Sequence, residues 1–305
     1  FLISGGASAL LCSPLDGINF DEKQKINNEL LKSGASIDEM NIVRQSISAV
    51  KGGRLLELIK PSNCITYGIS DIPGDDPSFI GSGPTIYSNN DPNKLFEILD
   101  NYQIEISKEI LSIIKTNLLP KGINENFHLI ASPMKALKAA SNLAKKIGFL
   151  PIILSDKLEG DASKEGERMA NLALKIKKEK RYKNISLEKP ILLLSGGETT
   201  VKVNGLGKGG RNSEFALSMV NTLKGNKNIL GLSIDTDGID GSEDNAGAFF
   251  SYETFLKSKK LNLDIKKYIN NNDAFSFFEK TKDLIYTGPT LTNVNDFRAV
   301  LVLPN

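Results

Sequence analysis

The 305-residue chain predicts an α/β protein built on a mainly parallel sheet with helices on both faces. Short apolar runs of strand length recur along it, and segments with helical apolar spacing separate them. Glycine-rich or acid-rich turns follow several of these runs, which is where open α/β sheets take up ligands. The length allows two domains, each with its own core.

In order, Phe1 to Ile3 is strand-like and ends in the turn Ser4-Gly5-Gly6-Ala7-Ser8, before the apolar stretch 9–12. The chain opens inside this strand with no initiator Met and no signal-peptide pattern, so a preceding segment is expected. Segments 22–33 and 37–47 have helical character, with Met40, Val43 and Ile47 on one face of the second. Lys51-Gly52-Gly53-Arg54 opens a helix over 55–59, and the same four residues return at 208–211. A strand over 64–69 runs into the acidic turn 70–77, and 82–85 is another rigid turn. Helices at 92–99, 107–117, 134–147 and 162–180 alternate with strands at 127–131 and 149–154. Residues 183–190 read as the connection to a second domain.

Beyond it, Ile191 to Leu194 is a short apolar run bounded by glycine, hence a buried strand, and it delivers Ser195-Gly196-Gly197-Glu198. A Thr/Val alternation over 199–203 leads to the loop Gly205 to Arg211. Asn212 can cap a helix carrying Phe215, Ala216, Met219, Val220 and Leu223 on one face. A strand over 229–234 delivers the acid-rich loop 235–248, and helices at 252–257 and 274–282 follow. A Thr/Asn-rich turn, 287–296, and a strand over 299–303 close the chain.

Composition removes several classes of function. The net charge is +2, with 40% hydrophobic and 24% charged residues, which argues against nucleic acid or an anionic membrane as the main partner. No apolar run approaches the ~20 residues of a membrane span. Two cysteines, Cys12 and Cys64, make neither a disulfide framework nor a zinc site, so a reducing cytoplasm is expected. The one histidine, His128, lies in a strand pattern and reads as structural.

The remaining motifs point to anions. Glycines let backbone N–H groups turn towards a phosphate, a helix start adds partial positive charge, and Lys208 and Arg211 would add full charges to the loop with Gly209 and Gly210. The acidic loops can hold Mg²⁺, which prefers oxygen ligands and keeps waters and substrate phosphates as the rest; Asp235 and Asp237 are the candidate ligands. Glycine loops with Lys and Arg plus acidic loops after strands are the parts needed for phosphoryl transfer. Neither a P-loop nor the protein-kinase signature is present. Gly205-x-Gly207-x-x-Gly210 matches the dinucleotide fingerprint, which raises an NAD(P)H-dependent hydroxypyruvate reductase as the rival, and a non-enzymatic sugar-acid or nucleotide-binding protein is a third reading.

Six segments together resemble the class II glycerate kinases, or glycerate 2-kinases, whose C-terminal part is the MOFRL domain. They are FLISGGASALL (1–11), VRQSISAVKGGRL (43–55), ISDIPGDDPSFIGSGPT (69–85), LSGGETTVKVNGLGKGGRNSEFAL (194–217), DTDGIDGSEDNAGA (235–248) and TGPTLTNVNDF (287–297). The resemblance implies a Rossmann-like larger domain over 1–183, lacking its start, and a smaller MOFRL domain over 189–305, with the active site in the cleft between them. It implies transfer of the ATP γ-phosphate to D-glycerate, giving 2-phosphoglycerate, with Mg²⁺ or another divalent cation. Carried over by motif, Ser4, Gly5 and Gly6 form the first substrate loop, with Lys51 and Arg54 holding the glycerate carboxylate. Gly196, Gly197, Glu198, Lys208, Gly209, Gly210 and Asn293 border the nucleotide; Arg211, Asp71 and Asp237 are the catalytic candidates. Ala7 stands where the family commonly has a third glycine, Ser46 where it has His, Ser213 where it has Gln and Leu291 where it has Gly. The sequence leaves oligomeric state open, a homodimer included.

Overall fold

The computed structural model describes residues 1–72, 74–88, 91–123 and 126–304; Pro73, within the acidic turn singled out above, lies outside the described residues. The chain forms two compact units, Phe1–Ala131 and Ser132–Asn305.

In the first unit, in chain order, are β1 (Leu2–Ile3), α1 (Ala7–Leu10), α2 (Phe20–Ser33), α3 (Ile37–Ser46), α4 (Arg54–Leu58), β2 (Thr66–Ile69), α5 (Pro92–Asn101), α6 (Lys108–Thr116) and β3 (Phe127–Ala131). Two of these helices start on reciprocal caps. Asn19 with Glu22, and Ser36 with Glu39, each exchange side-chain and backbone hydrogen bonds, satisfying donors that an uncapped first turn leaves open. Ile26 and Leu30, Leu95 and Ile98, and Ile110 and Ile114, spaced three or four apart on their helices, join the adjacent Ile42 and Val43 to form the core of α2, α3, α5 and α6. The strands β1, β2 and β3 make a three-stranded, wholly parallel sheet. His128 stacks on Tyr67 across it, with ring centroids 5.5 Å apart.

The second unit holds α7 (Pro133–Lys146), β4 (Leu150–Ser155), α8 (Ala162–Glu179), β5 (Arg181–Tyr182), β6 (Ile185–Ser186), β7 (Ile191–Ser195), α9 (Arg211–Leu223), β8 (Ile229–Asp235), β9 (Gly247–Phe250), α10 (Tyr252–Lys260), α11 (Ile265–Asn270), α12 (Ala274–Thr281), β10 (Leu284–Ile285) and β11 (Asp296–Val302). Its six-stranded sheet has the order β10-β9-β8-β11-β7-β4. The core joins α8, α9 and α12 to the sheet through Met169, Ala173, Phe215, Met219, Phe250, Phe277 and Phe278.

The α/β class and the parallel sheet hold, but the mainly parallel character is confined to the first unit. In the six-stranded sheet of the second, among the described residues, only the β4–β7 pairing is parallel, and the other four pairings are antiparallel. The cause is one insertion. The unit β7–α9–β8 is an ordinary parallel crossover, and the last strand, β11, enters between its two strands in the opposite direction. Hydrophobic alternation reports which face a strand buries and says nothing of its direction. The junction also differs from the expected one at 183–190. The compact units divide at Ala131/Ser132 because β4 pairs with β7 and α8 packs on α9, tying 132–183 to the C-terminal sheet. Residues 181–186, expected within or beside a linker, form the β5–β6 hairpin.

Candidate active site

Strands β7 and β8 point the same way, so their carboxyl ends lie at one edge of the sheet, and β11, running against both, begins there. The register sets Asp296, first residue of β11, opposite Asp235, last residue of β8, and Arg298 opposite both Ser195 and Ser233. Helix α9 returns its first residue, Arg211, to the same edge. The planar guanidinium of Arg211 donates to three carboxylates at once: Nε to Asp296 Oδ1 (2.8 Å), Nη1 to Glu198 Oε1 (2.6 Å) and Nη2 to Asp235 Oδ2 (2.7 Å). Only a fork of fixed donors can meet three acceptors this way. Burial by itself would lower the pKa of Arg211, but Asp296, Glu198 and Asp235 more than reverse that and raise it.

Beneath Arg211 lies a second arginine. Arg298 is fully buried, faces the Phe215 ring with its guanidinium carbon 4.9 Å from the centroid, and donates to Thr199 Oγ1 (2.9 Å), Gly196 O (3.3 Å) and Asp296 Oδ2. Asp296 also accepts from Asn212 Nδ2 (2.6 Å) and from the Thr199 N–H (3.2 Å). Asp296 therefore ties β11, the loop after β7 and the start of α9 into one rigid platform. Neither Asp296 nor Arg298 was among the site residues expected from the sequence. Their signal was the alternation in Asp-Phe-Arg-Ala-Val-Leu-Val, which puts an acid and a base on the buried face of one strand.

Asp235 is buried, and burial is the largest influence on its carboxyl, which is pushed up to about 7. Arg211 and the Asp237 N–H oppose that shift, while Asp296 and Asp237 reinforce it. Asp237 Oδ1 accepts the Ile239 N–H (2.8 Å) in a local turn. The loop 235–241 is laced to the Thr/Asn-rich turn by Thr290 Oγ1 to Thr236 O (2.6 Å), Thr290 N to Asp237 O (2.9 Å) and Val294 N to Thr236 Oγ1 (2.9 Å). Asn293 Oδ1 accepts the Asn295 N–H (2.7 Å), so its acceptor holds this turn. Leu291 sits here with φ 60, the left-handed conformation, and its side chain is exposed. A bulky residue thus occupies a backbone position that favours glycine.

The loop Gly205 to Gly210 is not the open cradle expected. The N–H groups of Asn204 and Gly205 donate to Asn272 Oδ1 (2.7 and 3.0 Å), that of Leu206 to Asn271 Oδ1 (3.2 Å), that of Gly207 to Asn271 O (2.9 Å) and that of Lys208 to Asp273 Oδ1 (3.1 Å). The glycines are there for close approach: a Cβ on Gly207 would stand 2.4 Å from Asp273, and one on Gly210 2.4 Å from Asp240. The start of α9 is likewise answered from within. Asp240 accepts the N–H groups of Asn212 (2.8 Å) and Ser213 (2.7 Å) and the Ser213 hydroxyl (2.6 Å). That buried carboxylate is the anion which the helix terminus holds. Lys208 is exposed, with its Nζ 3.5 Å from Glu243. Of the expected phosphate-binding set, Glu198 is the side chain joined to Arg211, and Gly196 and Gly197 supply the turn that delivers it.

In the first unit, a Cβ on Gly5 would stand 2.6 Å from Asp71 Oδ2, so that glycine is what lets the Ser4–Gly6 turn lie against Asp71. Burial raises the Asp71 carboxyl above its ordinary value. Helix α1 is a single turn and carries little dipole for an anion. Arg54 does not present its charge to a substrate: Nη1 donates to Gln45 O (2.6 Å) and Ser48 O (2.7 Å), and Nη2 to Asn117 O. Lys51 is buried and donates to Ser8 O (2.7 Å). Both expected carboxylate holders are instead bonded to backbone carbonyls.

Among the described residues, no group of three or more His, Cys, Asp or Glu is placed to hold a metal ion. Among the described residues, no helix is long and apolar enough to cross a membrane.

An arginine gathered by carboxylates stands at the carboxyl ends of strands in an α/β sheet, where such sheets take up ligands. Comparison with known proteins narrows the class. Residues 1–115 match a domain of unknown function, DUF4147, and residues 191–296 match the MOFRL family. The D-glycerate 2-kinase of Thermotoga maritima is 39% identical over 99% of this chain and 72% of its own. The crystal structure of a Thermotoga maritima glycerate kinase superposes with a TM-score of 0.92 at 38% identity, over 99% of this chain and 72% of that one. A protein of Agrobacterium vitis, provisionally named hydroxypyruvate reductase, is 42% identical over 99% of this chain and 78% of its own. The chain belongs to the glycerate 2-kinase family with a MOFRL segment.

Proposed function

We propose that the protein transfers the γ-phosphate of ATP to D-glycerate, giving 2-phosphoglycerate, with Mg²⁺ as the divalent ion and the cytoplasm as its compartment. The observation that carries this reading is the Arg211 fork, held by Asp296 and Asp235 and by the half-exposed Glu198. In the reaction the C2 hydroxyl oxygen of glycerate bonds to the γ-phosphorus, the bond to the bridging oxygen of ADP breaks, and the hydroxyl proton leaves to a carboxylate. Arg211 neutralises the charge spread over the transferring phosphoryl group, Glu198 yielding its place on Nη1 to a phosphate oxygen. Asp235 and Asp237 are the carboxylates that would hold Mg²⁺, which supplies further charge neutralisation on the phosphates. Gly196, Gly197, Gly209, Gly210 and Asn293 border the nucleotide. Ser4, Gly5 and Gly6 take the glycerate, and Asp71, pressed against Gly5, orients its hydroxyl.

The reductase reading loses support at its own motif. Gly205-x-Gly207-x-x-Gly210 follows an irregular segment, and the N–H groups of Gly205 and Gly207 are bonded to residues 271 and 272. A dinucleotide fingerprint needs them free for a pyrophosphate, directly after a strand. The test is to incubate the protein with D-glycerate, ATP and Mg²⁺ and follow ADP, with parallel wells of hydroxypyruvate and reduced nicotinamide. ADP release without nicotinamide oxidation supports the kinase; nicotinamide oxidation without ADP release sinks it.

A further inference from the structure

Among the described residues, Leu291 is the one apolar side chain on a left-handed, non-glycine backbone; the others are Asp, Ser, Gln, Lys and Asn. It is also 96% exposed. Left-handed backbone crowds a Cβ against the following carbonyl, and apolar surface left in water forgoes the gain of burial. A side chain this exposed recovers almost none of either cost from its own chain. A strained residue of this kind persists only where its surroundings fix it, and such positions gather at ligand sites.

The turn that carries Leu291 is fixed on both sides. Before it, the Thr290 N–H donates to Asp237 O (2.9 Å) and Thr290 Oγ1 to Thr236 O (2.6 Å). After it, the Val294 N–H donates to Thr236 Oγ1 (2.9 Å). Gly238 comes so near that a Cβ there would stand 2.1 Å from Gly288 O. Ile239, 43% exposed, donates its N–H to Asp237 Oδ1 (2.8 Å), so a second exposed aliphatic residue is tied to the same aspartate. The Asp237 N–H in turn donates to Asp235 Oδ1 (3.2 Å), the carboxylate that Arg211 holds through Nη2. Leu291 therefore stands on a rigid turn braced against the Arg211 centre, within one compact unit.

We propose that Leu291 is the apolar platform for the base of the nucleotide, and so a specificity-determining residue of the reaction. The inference rests on the kinase reading, which supplies the two ligands to choose between. Every carbon of glycerate carries oxygen, so glycerate has no apolar face to lay on a leucine. A purine base has one on each side of its ring. With the phosphates at Arg211, the base lies along the 287–295 turn and takes the Leu291 side chain out of water. That burial offsets the cost of holding a leucine there.

The test is isothermal titration of wild type, Leu291→Gly, Leu291→Met and Leu261→Ser with ATP and Mg²⁺, and separately with D-glycerate. Thermal unfolding of the same proteins without ligand accompanies it. Glycine suits left-handed backbone, so Leu291→Gly should keep a thermal midpoint at or above that of wild type. It should bind ATP about tenfold more weakly. A leucine with a merely structural role would not give that split. Leu291→Met keeps an apolar side chain and should bind ATP within about twofold of wild type. Leu261→Ser, at a half-exposed leucine after α10, should leave ATP affinity unchanged, and D-glycerate affinity should be the same in all four proteins. Equal ATP affinity in wild type and Leu291→Gly would overturn the inference and leave the kinase reading standing. So would a loss confined to D-glycerate, a Leu291→Met protein as weak as Leu291→Gly, or a lowered midpoint alongside the weaker binding. Wild type that takes up no ATP would overturn both readings.

Discussion

The tetrapeptide KGGR occurs twice, and its two copies meet opposite ends. Each precedes a helix, with Gly53 capping α4 and Gly210 capping α9. At 51–54 the backbone is held by carbonyls, Gly52 N–H to Ser82 O (3.1 Å) and Gly53 N–H to Gly83 O (2.8 Å). Arg54 then turns inward and collects three further carbonyls from α3, the segment after it and the end of α6. At 208–211 Arg211 finds carboxylates from the ends of three strands or their loops. The first arginine meets neutral acceptors that are already part of the scaffold, so it braces. The second meets charged groups at a sheet edge, one of them half-exposed, so it can exchange a partner for a ligand. Four identical residues acquire different roles from what surrounds them.

The largest effect should come from Arg211→Lys. An ammonium lacks the planar spread that reaches Asp296, Glu198 and Asp235 from one fixed fork, and losing a preorganised donor of this kind costs turnover about 10²–10³-fold. Coupled ADP release measures it, and turnover within about twofold of wild type would leave both copies as braces. Next comes Arg54→Ala, which takes a charged donor from three backbone carbonyls, two of them on buried residues, at a cost of ~2–4 kcal/mol. The midpoint of urea unfolding should fall while the KM for glycerate stays put. A stable Arg54→Ala protein with a raised glycerate KM would reverse the comparison and return Arg54 to the substrate.

The sequence made the elements legible and the contest for hydrogen bonds illegible. The helices α2, α3, α6 and α9 were readable because three-four apolar spacing is local, although Asn212, expected to cap α9, lies inside that helix and Gly210 takes the cap position without a side-chain bond. Strand β7 was readable because it is an apolar run closed by glycine. Leu291 stands where the family commonly has glycine, and its backbone is left-handed, with φ 60. What could not be read was who answers each donor. Residues 271–273 reach loop 204–208, and Asp240 reaches the start of α9, across sequence gaps that no local pattern reports. Glycines at 205, 207 and 210 look alike whether they admit a phosphate or another stretch of backbone. Asp296 and Arg298 were overlooked because a buried acid–base pair on a strand is visible only once its inward face is known.

The lysines of the two copies extend the comparison to pH. Lys51 is pulled down to about 8 by burial first, then by Lys23 and Arg44. Between about 8 and its ordinary value of 10.5, the unfolded chain holds a proton there that the native chain has lost. Stability from this group therefore rises with pH across that window. Thermal unfolding of wild type and Lys51→Met between pH 7.5 and about 10.5 should diverge with that sign. Parallel curves would mean Lys51 keeps its proton in the fold.

Lys208 should show the smallest effect. Its side chain is 63% exposed and its only ion pair, among the described residues, is the 3.5 Å contact with Glu243. Exposed pairs contribute about 0–1 kcal/mol because water screens them and two long side chains must be held still. Lys208→Ala should therefore shift the unfolding midpoint little. The sharper measurement is the KM for ATP. A lysine that leaves Glu243 to reach a phosphate would raise that KM about tenfold or more when removed, since charge-assisted contacts to phosphate are the strong ones. The geometry leads to the other result, a KM within about twofold of wild type. Of the four residues in the second copy, Arg211 alone then carries charge to the reaction, and Gly210 beside it lets Asp240 approach the helix that holds it in place.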